Sequence, residues 1–166
     1  MKEITIRELK ENPVKLISED WALLTVKDAE KGSCNPMTVS WGSVGELWGA
    51  DMATIYVRES RYTKTLLDNE DYFSLCFFGG KQKEALSFCG SKSGRDCDKV
   101  KETGLTPVYS ENAPYFKEAE IVLICRKKAR TFLGEDSFLD KNIMKKWYSD
   151  HTVSYTHLRA HETELH

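Results

Sequence analysis

Short runs of β-branched and aromatic residues dominate the middle of this chain, and no long helical pattern separates one run from the next. The runs that predict strands cover residues 21–27, 37–41, 53–57, 72–78 and 121–126. Shorter helical patterns cover residues 63–69, 82–89, 98–102 and 137–148. Because strands do not alternate with long helices, the pattern argues against a doubly wound parallel sheet. It predicts a mainly β fold, an antiparallel barrel or sandwich with short accessory helices.

Two segments between the predicted strands are rich in residues that favour turns. Residues 32–36 begin with Gly32 and end with Pro36, and they predict a turn. Gly42, Gly45 and Gly49 follow the second predicted strand, and their spacing predicts a loop.

Length and charge exclude several classes of protein. The 166 residues fit one domain with a sizeable core. The 24 Lys and Arg residues are balanced by 26 Asp and Glu residues, so the formal net charge of -2 does not indicate a nucleic-acid-binding protein. No apolar run approaches the roughly 20 residues of a membrane helix, and the start of the chain lacks a signal-peptide pattern. We therefore expect a cytoplasmic protein with neither a nucleic-acid nor a membrane partner.

Cysteine and histidine usage disfavours metal and hydrolytic sites. The chain has five cysteines, an odd number, and none of them form a Cys-x-x-Cys pair. This predicts buried or incidental thiols without a functional role. Cys89 is the possible exception, because it begins the third candidate segment described below. Only His151 precedes the last residues of the chain, so no catalytic triad can be assembled and no metal site is predicted. A cofactor-carrying protein fits better, because a bound cofactor supplies its own chemistry.

The last residues differ in character from the rest. From Val153 onward the sequence resembles a translated sequencing adapter. We therefore leave residues 153–166 out of the fold as a non-native tail and expect the domain to cover residues 1–152.

The first candidate site is the segment 58–63, which joins the third predicted strand to the first predicted helix. Ser60 is predicted to cap that helix, where unpaired N–H groups and partial positive charge suit a phosphate. Arg58 and Arg61 add guanidinium groups that match phosphate oxygens, and Thr63 adds a second hydroxyl. An ordinary capped helix with solvated arginines is the alternative interpretation.

The second candidate site is the segment 35–42. Thr38 and Ser40 share one face of the predicted strand, and Met37 and Trp41 offer apolar cover. A flat heteroaromatic ligand needs both kinds of contact. A strand with one hydroxyl face and one apolar face is the alternative.

The third candidate site is the segment 89–96, in which Gly90 and Gly94 enclose small and cationic residues. Its spacing is not that of a phosphate-binding P-loop, and the chain contains no Gly-x-Gly-x-x-Gly dinucleotide motif. A flexible loop between two helices is the alternative.

Together and in this order, three motifs resemble a known family. They are Asn-Pro-Met-Thr-Val-Ser-Trp-Gly (35–42), Arg-x-Ser-Arg-Tyr-Thr (58–63) and Ser-Gly-Arg-Asp-x-Asp-Lys-x-x-Glu-Thr-Gly-Leu (93–105). Over about residues 1–148 the chain resembles the flavoredoxin branch of the flavin reductase-like, FMN-binding split-barrel family. The resemblance implies an antiparallel split β-barrel with short helices, which forms a homodimer and binds FMN near the dimer interface.

The resemblance also implies roles for individual residues. The segment 58–63, including Tyr62, would hold the FMN phosphate. The isoalloxazine ring would be lined by Met37, Thr38, Ser40 and Trp41. The pocket would be closed by Cys89, Gly90, Ser93 and Gly94. A cation near the N1–C2=O edge would stabilise the reduced flavin, and Arg95 and Lys99 are the candidates.

As to function, the resemblance implies an oxidoreductase that moves reducing equivalents between NADH or NADPH, flavin and an acceptor. The acceptor would be a redox partner protein or free flavin. A flavin-binding electron carrier with little catalysis of its own and a split-barrel module for another ligand are the alternatives. Family members continue into a further strand after the last helix, so the adapter-like end predicts a truncated domain with an unpaired sheet edge.

Overall fold

The computed structural model describes residues 5–148 and the backbone of residues 154–160. Its strands are β1 (Ala22–Asp28), β2 (Ser33–Val39), β3 (Gly42–Leu47), β4 (Ala50–Arg58), β5 (Tyr72–Phe77), β6 (Pro107–Tyr109), β7 (Pro114–Phe116), β8 (Ile121–Arg126), β9 (Ala129–Leu133) and β10 (Ser154–Ala160). Its α-helices are α1 (Pro13–Lys15), which continues as a π-helical turn (Leu16–Asp20), α2 (Tyr62–Asn69), α3 (Lys83–Ser91), α4 (Lys99–Thr103) and α5 (Lys141–Trp147). Single 3-10 turns cover Ile6–Glu8 and Glu135–Ser137.

The first sheet is buried on both faces. Its four antiparallel strands lie in the order β2-β1-β5-β8. Side chains alternate along β1, so Leu24 and Val26 join the apolar cluster on one face and Leu23 joins the cluster on the other. Leu67 of α2 packs into the first cluster, and Leu86 of α3 packs into the second. Both helices are therefore anchored to the same sheet through fully buried leucines.

The second sheet has the strand order β3-β4-β10-β9, and β6 pairs with β7 in a separate two-stranded sheet. All the strand pairs are antiparallel. The sequence analysis leaves residues 153–166 out of the fold, whereas the backbone of β10 pairs with both β4 and β9. The expected unpaired edge is therefore not seen at this position. Val153 itself lies outside the described residues, and the native extent of the domain stays a prediction.

The turn predicted at residues 32–36 is correct only for Gly32, which ends the turn between β1 and β2. Residues 33–36 lie in β2, and Gly42 and Gly45, predicted to lie in a loop, are in β3. Pro36 is tolerated in β2 because this strand lies at the edge of the sheet. Gly42 permits close pairing, since a Cβ there would lie 2.3 Å from the Thr54 carbonyl oxygen. The true turn is a two-residue β3–β4 hairpin loop, in which Trp48 and Gly49 have φ values of 59° and 74°. Such positive values are typical of the tight turns that join paired antiparallel strands.

The mainly β class with short helices is confirmed, and the helix predictions are confirmed apart from the last. The pattern over residues 137–148 resolves into a 3-10 turn, a break and the shorter α5. Among the described residues, no helix is both long enough and apolar enough to cross a membrane.

Candidate functional site

A pocket of about 100 Å³ lies where the start of α2 meets the loop between α3 and α4. We call it the cationic pocket, and it is lined by Met37, Ser60, Arg61, Tyr62, Thr63, Lys92, Ser93, Gly94 and Lys99. A second pocket, of about 150 Å³, adjoins it and shares Gly94 and Lys99. This adjoining pocket is also lined by Asp28, Lys31, Ser33, Cys34, Asn35, Cys97 and Asp98.

The two pockets differ in charge. The cationic pocket has three cationic side chains, three aliphatic hydroxyl groups, the Tyr62 phenol and no carboxylate among its lining residues. The first turn of α2 adds backbone N–H groups that have no partner within the helix. Cations, hydroxyls and helix N–H groups together form the donor set that binds phosphate. The adjoining pocket carries both carboxylates and lysines, so it offers no comparable excess of positive charge.

The hydroxyl of Thr63 is held ready to donate a hydrogen bond. The Nδ2 of Asn35, on β2, donates to the Oγ1 of Thr63 at 2.8 Å, and both residues are buried. Because this bond occupies an acceptor position of the hydroxyl, its proton remains free to point at a ligand. Asn35 thus orients the Thr63 hydroxyl without itself lining the cationic pocket.

Gly94 allows the loop after α3 to lie directly against β2 and α2. A Cβ at Gly94 would lie 1.9 Å from Asn35 Oδ1 and 2.9 Å from the ring of Tyr62. Polar contacts fix the loop in this position. Lys31 donates to the Gly94 carbonyl, and the Arg95 guanidinium donates to the Ser60 carbonyl at 3.3 Å.

Tyr62 lines the cationic pocket and contacts two residues of the adjoining pocket, Asp28 and Lys31. Its hydroxyl donates to Asp28 Oδ2 at 2.9 Å, and the cationic groups of Lys31 and Arg95 lie 5.1 and 5.2 Å from its ring centre. Burial and the neighbouring Asp28 carboxylate raise the pKa of the Tyr62 phenol. The phenol therefore stays protonated and keeps its bond to Asp28 at neutral pH.

Lys99 is the most deeply buried of the pocket cations, with 4% of its surface exposed. Its Nζ donates to the carbonyl oxygens of Pro36 at 3.0 Å and Cys89 at 2.8 Å. Burial lowers the pKa of Lys99, because desolvation penalises its charged form. The chain therefore places an ammonium group beneath the pocket at a cost in solvation.

The structure brings eight of the fourteen predicted cofactor-binding residues together in the cationic pocket. They are Met37, Ser60, Arg61, Tyr62, Thr63, Ser93, Gly94 and Lys99. Ser60 nevertheless does not cap α2. The capping position is occupied by Arg61, and no side chain accepts a hydrogen bond there. The predicted N-cap is therefore wrong, although the Ser60 hydroxyl still lies at the pocket.

Arg58 and Trp41 lie elsewhere. The Arg58 guanidinium donates to the Trp147 carbonyl at 2.7 Å and lies 5.6 Å from the Trp41 ring. Trp41 meets the Trp147 ring edge-on at 5.5 Å. The two residues thus contact α5 and do not line the cationic pocket.

The other four predicted residues lie behind or beside this pocket. The Thr38 hydroxyl donates a hydrogen bond to the Leu86 carbonyl, and the Gly90 carbonyl accepts one from the Arg61 guanidinium at 3.2 Å. Ser40 is exposed, and Cys89 is fully buried. The predicted roles of Thr38 and Ser40 in lining the ring and of Cys89 and Gly90 in closing the pocket stay predictions, as do the flavin-edge roles of Arg95 and Lys99.

Sequence reasoning missed Lys92 and Asn35. Both lie inside segments already singled out, at 89–96 and 35–42, so the local signal was present. From sequence alone Lys92 looks like a solvated loop lysine, because the sequence does not show that its loop faces the start of α2. Asn35 reads as a turn former next to Pro36, although it is a buried strand residue.

Three cysteines are predicted to lower the stability of the fold at alkaline pH. Burial raises the pKa of Cys34 to about 12, of Cys76 to about 11 and of Cys89 to about 11. Above pH 9 the unfolded chain loses these protons while the folded chain keeps them, so the free energy of unfolding falls as pH rises. This contribution is complete below pH 9 and declines through the range from about 9 to about 12.

Urea titrations at a series of pH values measure this effect. A Cys76→Ala variant is expected to show a shallower alkaline decline than the parent chain. A Cys97→Ala variant, which alters a partly exposed thiol, is the matched control and should leave the slope unchanged. Equal slopes in all three proteins would contradict the prediction.

Fold and pocket together define a mainly β, antiparallel domain with a pocket suited to an anionic ligand. The sequence profile of the family described as "Flavin reductase like domain" matches residues 15–153. The chain therefore belongs to the flavin reductase-like domain family, a family of flavin-related oxidoreductases. The resemblance drawn from the three motifs is confirmed.

Solved structures share the fold at low sequence identity. Flavoredoxin from Methanosarcina acetivorans is 22% identical, with a TM-score of 0.64, and the match covers 96% of this chain and 73% of that one. The FMN-binding protein from Thermus thermophilus is 16% identical, with a TM-score of 0.65 and coverage of 96% and 78%. The NADH:FAD oxidoreductase SgcE6 from Streptomyces globisporus C-1027 is 17% identical, with a TM-score of 0.62 and coverage of 88% and 71%. A search of curated proteins finds no significant match.

Proposed function

We propose that this chain binds FMN, with the terminal phosphate in the cationic pocket, and acts as an oxidoreductase of the flavin reductase type. NADH or NADPH would be the electron donor, and free flavin or a redox partner protein the acceptor. One observation carries the proposal. A member of a flavin-related family places three cations, three aliphatic hydroxyls and the first turn of a helix around a pocket that no carboxylate lines.

The pocket fits the phosphate and not the whole cofactor. Ligand sites that enclose a drug-sized molecule have volumes of roughly 300–1,000 Å³, whereas the cationic pocket has about 100 Å³. A phosphate group matches both this volume and the donor set. The rest of the cofactor would extend out of the pocket along the side of Met37, the one aliphatic residue in its lining.

Bound FMN would supply the redox chemistry, because the flavin ring accepts and releases electrons. The protein residues would bind and orient it. Thr63 and Ser93 would donate hydroxyl hydrogen bonds, Arg61 would pair with phosphate oxygens, and buried Asn35 would keep the Thr63 hydroxyl aligned. In this proposal no side chain has to act as a general acid or base.

A visible absorption spectrum tests the proposal most directly. Addition of FMN to the purified protein is expected to shift the flavin bands and quench flavin fluorescence. A protein that takes up no flavin under saturating conditions would overturn the assignment and leave a split-barrel module for another ligand. Steady-state oxidation of NADH and NADPH with added flavin then separates an enzyme from an electron carrier, which would turn over slowly but exchange electrons rapidly with a redox protein.

A homodimer and a cytoplasmic location are part of the proposal. Two observations support the dimer. The pocket leaves most of the cofactor uncovered, and apolar side chains such as Leu139 and Ile143 are exposed, Leu139 at 98%. All five cysteines are free thiols, which agrees with a reducing compartment. Light scattering after gel filtration, with an expected mass of twice that of the chain, tests the dimer.

Replacing Thr63 with alanine is expected to weaken FMN binding far more than riboflavin binding, because only FMN carries the phosphate. A hydrogen bond to a charged group contributes roughly 1.5–3 kcal/mol, which corresponds to about 10- to 150-fold in Kd. Fluorescence titration with the two ligands measures the difference. Thr65→Ala is the matched control, since Thr65 lies on the same helix with an exposed side chain. Equal losses for FMN and riboflavin would contradict the phosphate assignment.

A further inference from the structure

Lys99 carries a buried charge that no described residue balances. Its two hydrogen-bond partners are backbone carbonyls, and the charged or titratable groups that influence its pKa are Cys89, Cys97 and Arg61. None of these is a carboxylate. Buried charges in proteins are normally paired, because an isolated one is costly to remove from water. The third N–H of the ammonium group and the cationic pocket that it lines are therefore open to an anion.

Other charged groups approach Lys99 from the surrounding elements without pairing with it. On the side of the cationic pocket, Arg61 comes from the start of α2 and Lys92 from the loop after α3. The remaining titratable groups line the adjoining pocket, and they are Asp28, Lys31, Cys34, Cys97 and Asp98. The side of Lys99 that faces the cationic pocket thus meets only positive charge.

We propose that Lys99 is the buried counter-charge of the ligand's phosphate, in place of the flavin-edge role that the resemblance allows, and that it makes the cationic pocket selective for a doubly charged phosphate monoester. The inference rests on the proposed flavin site and names what that site selects. A monoester such as the FMN terminus carries close to two negative charges above pH 7, whereas the diphosphate of FAD is substituted on both sides. Coulomb attraction to a fixed buried cation grows in proportion to the ligand's charge. The small volume of the pocket also leaves little room for a substituent beyond the phosphate.

Binding should be coupled to the protonation of Lys99. Burial lowers the pKa of Lys99 in the free protein, and a bound dianion raises it again because the charged form gains a partner. In the range where free Lys99 loses its proton, phosphate binding therefore takes up a proton. The affinity for a phosphate monoester falls as pH rises through that range.

Lys99→Met is expected to lower FMN affinity by about 10- to 100-fold at pH 8, with much smaller changes for FAD and riboflavin. The control is Lys101→Met, an exposed lysine of the same helix, which should bind all three ligands as the parent does. Retained riboflavin binding shows that the Lys99→Met variant is folded. Equal losses for FMN, FAD and riboflavin, or no loss for FMN, would overturn the inference.

Isothermal titration in buffers of different ionisation enthalpy gives a second readout, with inorganic phosphate and FMN as the ligands. At alkaline pH below the ordinary lysine pKa of 10.5, the parent chain is expected to take up protons on binding either ligand, and the Lys101→Met control should do the same. Lys99→Arg is expected to retain FMN binding and to lose this proton uptake, because arginine remains charged throughout. Absence of proton uptake in the parent would overturn the coupling even if Lys99→Met fails to fold.

The two proposals fail in distinguishable ways. A parent chain that binds neither FMN nor inorganic phosphate would refute the proposed flavin site itself. A parent chain that binds FMN, together with a Lys99→Met variant that binds it equally well, would refute only the role of Lys99.

Discussion

Phe73→Ala is expected to lower the free energy of unfolding by about 3–5 kcal/mol, as observed for large-to-small changes in well-packed cores. Phe73 lies in β5, in the middle of the first sheet, and is fully buried among the residues of the first apolar cluster. Strands flank β5 on both sides, so the surrounding backbone has little freedom to collapse into the cavity. For a chain of this length the loss corresponds to a Tm lower by roughly 6–20 °C.

Urea denaturation followed by circular dichroism measures this loss. An unchanged m-value shows that the variant differs from the parent in stability and not in the surface exposed on unfolding. Phe132→Ala is the matched control, because the Phe132 side chain is 47% exposed and its removal leaves no enclosed cavity. A loss below about 1 kcal/mol for Phe73→Ala, or equal losses for both variants, would show that β5 is not the centre of the core.

Gly94→Ala is expected to abolish most of the FMN affinity and to cost about 1–3 kcal/mol of stability, the usual range for an overpacked site. The new methyl group would lie 1.9 Å from Asn35 Oδ1, so Asn35 or the loop has to move. Movement of Asn35 breaks its bond to Thr63, and movement of the loop displaces Ser93 and Lys92 from the pocket. Both outcomes disturb the phosphate donors.

Paired titrations with FMN and thermal melts measure the two effects of this substitution. Gly45→Ala is the matched control, because a Cβ at Gly45 meets nothing within 4 Å. If Gly94→Ala retains the parent's affinity for FMN, the loop after α3 does not form the wall of the cofactor site.

Local periodicity was sufficient to predict most of the strands and helices. The run 72–78 and α2 agree with the structure to within one residue at each end, because each has a uniform pattern bounded by strong breakers. The strand β3 was missed because Gly42 and Gly45 have low intrinsic strand preference. Its pairing with β4 comes from the hairpin turn at Trp48 and Gly49 and from the tight approach that Gly42 allows. Such long-range and turn-dependent pairing is not encoded in composition.

For the site, the sequence showed which segments carry suitable chemistry but not which side chains face one another. Thr63 and Arg61 line one pocket because both lie at the start of the same helix, although their role in binding phosphate stays a prediction. Arg58 lies two positions before Ser60, yet its side chain turns to Trp147, 89 residues further along the chain. The position of Lys99 beneath the same pocket depends on how α4 packs against β2, which no local pattern reveals.

The double-sided burial of the first sheet has a consequence for how the molecule fluctuates. Amide protons of β1 and β5 should exchange with solvent only when the whole domain opens, since water has access to neither face of these strands. The loop between α3 and α4 is exposed along much of its length and is fastened mainly by the contacts of Lys31 and Arg95. Its exposed amides are therefore expected to exchange through local opening, at rates faster than those of the sheet beneath.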